Sequence, residues 1–221
     1  MMRIRSILGL VAAMGLVTMA SGTAKAALVT GLNNTGKTFA EGLNDTNYTA
    51  VAGPLTGVTI VTTTDGYPIP PWLANTADSK WVQPPSTNLD NQPAGTYEIV
   101  TSFNVDPSTD LSSIVISGRW SADNSATMAI NGNAVPGSAT GFTAWTSFSI
   151  SSGFVAGVNQ IKFFLTNAAG TSLNPTGLRV EFDTPQAVAV PEPATLVSAG
   201  VALAGLALAR RFRARARRAV A

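Results

Sequence analysis

The 221-residue chain contains no histidine and no cysteine. Without cysteine no disulfide can form, so stability must come from packing. Without histidine the chain lacks the side chain that titrates near neutral pH and the commonest metal ligand. Ser-His-Asp and Cys-His catalysis are thereby excluded, as are zinc sites built on His and Cys. Charge is also scarce, at 12% of residues. Of the 14 basic residues, nine lie toward the ends: Arg3, Arg5, Lys25 and the six arginines between Arg210 and Arg218. Between Ala27 and Pro193, five basic residues stand against all 12 acidic ones, a net charge of −7. The pI near 9.2 is therefore a property of the ends. A mildly acidic domain with few lysines is a poor phosphate binder, which argues against nucleic acid as a partner.

The ends are addresses rather than structure. Arg3 and Arg5 precede an apolar run from Ile7 to Ala20, and Ala24-Lys25-Ala26 then supplies small residues where a signal peptidase inspects the chain. This predicts a helical signal peptide over residues 1–26, cleavage between Ala26 and Ala27, and use of the secretion translocon. No twin-arginine pair is present in this leader. At the other end, Val190-Pro191-Glu192-Pro193 is a stiff tetrapeptide, because each proline disfavours helix at the residue before it. Ala194 to Ala209 is uncharged and apolar, and Arg210, Arg211, Arg213, Arg215, Arg217 and Arg218 follow. Sixteen helical residues rise about 24 Å, short against a hydrocarbon core of about 30 Å. Snorkelling arginines and local thinning close that gap. The positive-inside rule holds the arginines in the cytoplasm as a stop-transfer signal and leaves the domain outside.

This order of motif, apolar helix and basic cluster resembles the PEP-CTERM sorting domain over about the last 32 residues. The resemblance implies recognition by exosortase, a membrane transpeptidase, with cutting at or near Pro191-Glu192-Pro193. It also implies a transient stay in the inner membrane before display at the outer cell surface or in the extracellular matrix. The alternative is a permanent single-helix anchor.

Between the ends, residues 27–57 form an Asn/Thr/Gly-rich lead-in segment. Short alternating runs follow over residues 58–184, and residues 185–189 link them to the tail at 190–218. Val58 to Thr63 is almost wholly β-branched. Tyr97-Ile99-Thr101-Phe103-Val105, Ile114-Ile116-Gly118-Trp120, Ile161-Phe163-Leu165 and Leu178-Val180-Phe182 each present one apolar face. Asn131-Gly132 after Ala126 to Ile130 is a hairpin signal. No sustained helical period interrupts these runs, which predicts an all-β antiparallel sandwich. Ile116, Trp120, Phe163, Leu165, Val180 and Phe182 are expected inward.

Gly118-Arg119-Trp120, Asp123-Asn124, Asn131-Gly132, Gly157-x-Asn159 and the strand Asn159 to Asn167 resemble the jelly-roll domains called galactose-binding-like. Trp72, Asn75, Ser79-Lys80-Trp81, Gly95-x-Tyr97 and Pro175-x-Gly177 to Glu181 extend the resemblance to a domain common in PEP-CTERM proteins. One departure is Asn47, where a histidine would be expected before Tyr48. A sugar-binding role taken from the wider fold is analogy.

Candidate ligand contacts are Trp72 and Trp81 in a proline-rich loop, Asp123, Asn131 and Arg179. Each has a structural alternative. The tryptophans can pack the loop onto the sheet, Asp123-Asn124 and Asn131 can serve as turn residues, and Arg179 with Glu181, on the outward face of a strand, can form a cross-strand or solvated pair rather than reach a sugar hydroxyl. Trp120 shares its face with Ile114 and Ile116 and reads as core, while Trp145 is undetermined. Asp45, Asp65, Asp78 and Asp90 offer oxygens for a structural calcium, but no EF-hand loop is present and no ligand set stands out. No organic cofactor is implied. A glycosidase needs two carboxylates across a cleft, and no spacing among Asp106, Asp110, Asp123, Glu181 and Asp183 singles out a pair. The expectation is a non-catalytic exported protein that binds or is embedded in exopolysaccharide. A purely structural surface domain is the alternative, and a glycan-active enzyme a distant third.

Overall fold

The computed structural model describes residues 28–64, 66–170, 173–185 and 187, with isolated positions 204, 205 and 210. The expected signal peptide and its cleavage point, the Val190–Pro193 motif, Arg211 to Arg218 and Asp65 lie outside the described residues. Among the described residues no helix is long and apolar enough to cross a membrane.

The described residues form nine strands: β1 (Val29–Thr30), β2 (Asn44–Ala52), β3 (Gly57–Val61), β4 (Val82–Gln83), β5 (Gly95–Val105), β6 (Ile116–Ile130), β7 (Asn133–Ile150), β8 (Gly157–Asn167) and β9 (Gly177–Phe182). A 3-10 turn, Leu111–Ser113, is capped by Asp110, whose carboxylate accepts from the Ser112 amide. The ladders run β5-β2-β3-β4-β9-β6-β8 and return to β5, so the sheet closes on itself, with β1 and β7 added at its flanks. Every ladder between these strands is antiparallel. The described residues between 28 and 185 form an all-β, sandwich-like barrel.

β6 connects the two layers. One edge follows β7, while the other pairs first with β9 (Gly118 to Asp123) and then with β8 (Ser125 to Ile130). The changeover falls at Asn124. The sequence divides this stretch into two short strands around an Asp123-Asn124 turn, but the structure makes it one strand. Three register shifts against β7 reset the alternation, as bulges do. The Asn131-Gly132 hairpin forms as expected, with φ of 48° and 84° at its two central residues.

Alternation fills the interior. Tyr97, Ile99, Ile161, Phe163, Leu165, Leu178 and Val180 are each 0% exposed. The Phe163 ring lies 6.1 Å from Trp120 and 6.3 Å from Tyr48, joining β8 to the strands on either side of the core. Ile116 and Trp120 are equally buried, and Phe182 packs at the core's edge.

Candidate functional site

The loop between β3 and β4 carries Pro68, Pro70 and Pro71. Proline has no amide donor, so this stretch cannot extend a ladder. Side chains fix it instead, and they bring four sequence candidates together. Trp72 and Trp81 pack ring to ring, with centroids 4.5 Å apart, and are 3% and 0% exposed. The Trp72 indole donates to Asp123 Oδ2 (2.9 Å) and the Trp81 indole to the Leu73 carbonyl (2.7 Å). Beneath them a Cβ on Gly177 would lie 2.7 Å from the Trp72 ring, so only glycine allows this approach. Neither tryptophan presents an open face.

Arg179 projects from the outward face of β9, as its alternation requires, but the loop covers it and it is 2% exposed. The solvated-pair reading is therefore corrected. Its guanidinium donates to Ser79 Oγ (2.6 Å), Thr76 Oγ1 (3.0 Å) and the Ala74 carbonyl. Burial lowers its pKa to about 10; Glu181, 3.6 Å away, opposes that shift, and Arg119 adds to it. Arg179 remains a cation at neutral pH and pins the loop to the sheet. Asp123, 5% exposed, has its pKa raised to about 6 by burial, with the Trp72 hydrogen bond acting the other way. Asp123 and Arg179 thus hold the underside of one loop.

Asn131 lies apart from this group, at the β6–β7 hairpin. Its amide donates to Gly153 O (2.9 Å) and Asn159 Oδ1 (2.8 Å), and its oxygen accepts from the Gln160 amide (2.9 Å). Those bonds hold the turn to the start of β8. Asp45 is buried and accepts from the amides of Gly36 (2.7 Å) and Asn47 (3.0 Å), with burial raising its pKa. Among the described residues no three His, Cys, Asp or Glu side chains gather as a metal site. The carboxylates weighed for catalysis have structural partners as well. Asp106 and Asp110 bond the nearby serines, Glu181 lies between two arginines, and Asp183 accepts from Ser117.

Trp145 on β7 is the one tryptophan left partly exposed. Two guanidinium carbons lie near its ring centroid, Arg119 at 4.5 Å and Arg179 at 4.8 Å. Arg119 is 51% exposed at its side chain and directs Nε and Nη2 to Glu181 Oε2, both at 2.6 Å. Ser147, exposed, faces Arg119 across the ladder. The patch therefore combines an aromatic surface, a held guanidinium and a hydroxyl. Sequence reasoning named Trp145 without resolving it and passed over Arg119. The missing information was which parts of the β9–β6–β7 face the loop covers.

The domain thus belongs to the all-β sandwich class, followed by a tail. Residues 189–213 match the family model described as the PEP-CTERM protein-sorting motif, so the chain carries that motif at its C-terminus. No curated protein sequence matches the chain. Among solved structures, it is similar to a carbohydrate-binding module, CBM36, in complex with calcium and xylotriose, at 19% identity over 65% of this chain and 90% of that one, with a TM-score of 0.26. It is also similar to a family 35 carbohydrate-binding module from an environmental isolate, at 18% identity over 76% of this chain and 96% of that one, with a TM-score of 0.28.

Proposed function

We propose that this is an exported, exosortase-processed protein of the cell surface or extracellular matrix, whose galactose-binding-like jelly roll binds exopolysaccharide without catalysis. The sorting motif at residues 189–213 carries this reading. It supports passage through the inner membrane, a transient hold there and release after cutting near Pro191-Glu192-Pro193. The glycan half rests on the Trp145 patch. A sugar ring offers an apolar C–H face to an aromatic surface and hydroxyls to nearby donors, and Trp145 with Arg119 and Ser147 supplies both. The net charge of −7 between Ala27 and Pro193 favours a neutral glycan over a polyanion.

Affinity gel electrophoresis of the exported protein, in gels containing exopolysaccharide from the producing cells, tests this. Wild type should be retarded. Trp145→Ala should weaken retardation at least fivefold without changing the thermal midpoint by more than a few degrees. Unretarded wild type would favour a purely structural domain.

A further inference from the structure

We infer that the domain has a second glycan-contact face, formed by the outward surface of β5, β8, the second half of β6 and the first half of β7, and that it bridges neutral polysaccharide chains. The inference rests on the glycan reading above and adds a separate site to it.

A depression of about 360 Å³ lies on this face, and a second, of about 440 Å³, lies at its edge, where Thr46, Asn47, Thr49 and Val51 of the neighbouring β2 meet β5 and β8. The ladder register aligns one hydroxyl from each of four adjacent strands: Thr140 opposite Ser125, Ser125 opposite Thr166, and Thr166 opposite Thr96. With strands about 4.8 Å apart, the row spans about 14 Å. Beside it lies Phe164, partly exposed, flanked in register by Glu98 and Thr127.

Charge on this surface is cancelled locally. Lys162 Nζ and Glu98 Oε2 are 2.5 Å apart, and Lys162 also lies 5.8 Å from the Phe164 ring centroid. The other depression contributes Gln160, Ser102 and Asn47, all uncharged. An open surface with an aromatic ring, a line of hydroxyls and no unpaired charge suits a neutral, hydroxyl-rich polymer laid across the strands. A polyanion would find no free cation here, and an apolar partner would strip water from the hydroxyl row without replacing its hydrogen bonds.

This face is separate from the Trp145 patch. Phe163 and Trp120 meet inside the core. Their outward neighbours in the chain, Phe164 and Arg119, therefore point away from that core on different layers. A chain carrying both contacts can hold two polymers at once.

The test uses the exported protein with dextran and hydroxyethyl cellulose as neutral probes and alginate as an acidic one. Affinity electrophoresis reads binding, and the low-shear viscosity of the mixed solution reads bridging. Phe164→Ala, and independently the exposed Thr127→Lys, should reduce binding at least threefold and abolish the viscosity rise. Trp145→Ala should also abolish bridging while leaving residual binding, and Trp145→Ala with Thr127→Lys should bind nothing. If Trp145→Ala removes all binding and both variants of the second face bind and bridge like wild type, the second face is refuted and the proposed function stands. Wild type that binds neither these polymers nor the cells' own exopolysaccharide would remove both readings. Tighter binding to alginate than to the neutral polymers would overturn the assignment of ligand class.

Discussion

Arg179 shows how a single residue can be correctly oriented by sequence pattern and still misjudged. Alternation along Leu178-Arg179-Val180 places its side chain outward, and it points outward. Its surroundings come from Ser79, Thr76 and Ala74, about a hundred positions earlier in the chain, and no local pattern reports them. Arg179→Ala leaves those acceptors without their donor. The expected loss is about 3 kcal/mol, read as a lower urea midpoint, with faster proteolysis within residues 66–81. Unchanged stability and cleavage would contradict its role as a pin. Asp123 makes a pH-dependent prediction. Its carboxyl titrates near 6 in the folded chain and near 3.9 when unfolded. The folded state therefore binds the proton more tightly, and this group's contribution falls as pH rises from about 4 to about 6. Asp123→Asn keeps an oxygen for the Trp72 indole and has no charge to desolvate. Its stability advantage over wild type should grow from near zero at pH 4 to roughly 1–3 kcal/mol above pH 6.5. A difference that is flat with pH would refute the assignment.

At the scale of elements, legibility followed regularity. β8 alternates without a break, β5 does so except at Val100, and in β9 the residue types alternate from Leu178 to Phe182 although Arg179 is buried too, so their inward residues are readable directly from the sequence. β2 was hidden in the Asn/Thr-rich lead-in. Its register against β3 jumps between Asp45 and Thr49, so the apolar period never establishes itself. β7 runs 18 residues, but few of them are buried, among them Val135, Ala139, Phe148 and Ile150, and its bulges shift their phase. The site was less legible than the fold, because the loop's docking decides which tryptophan remains partly exposed. Gly118 tests the packing of β6 on β9. A Cβ there would lie 2.2 Å from the Glu181 carbonyl oxygen and 2.8 Å from the Phe148 ring. Gly118→Ala should cost about 1–3 kcal/mol, or more if the strands cannot separate, measured by chemical denaturation. A neutral effect would mean that the two strands are not held this closely.

For the whole molecule, composition separates a weakly charged β-domain from a tail dense in arginine. That separation makes the tail the most readable part of the chain, since its order of features is linear and needs no tertiary information. Under the proposed function the domain would be what is displayed, and the sorting motif at residues 189–213 would supply the route. A stop-transfer segment ending in arginines would hold the precursor in the membrane. A proline disfavours helix at the residue before it, so Pro-Glu-Pro ahead of such a segment would offer a protease cleft extended backbone. The most direct measurement is the intact mass and fractionation of the protein from cells expressing wild type or Pro191→Ala/Glu192→Ala/Pro193→Ala. The account predicts a wild-type product released from the membrane and cut near residues 191–193, with the triple variant full-length at its C-terminus and retained in the inner membrane. A triple variant trimmed to the same mature mass as wild type would contradict it.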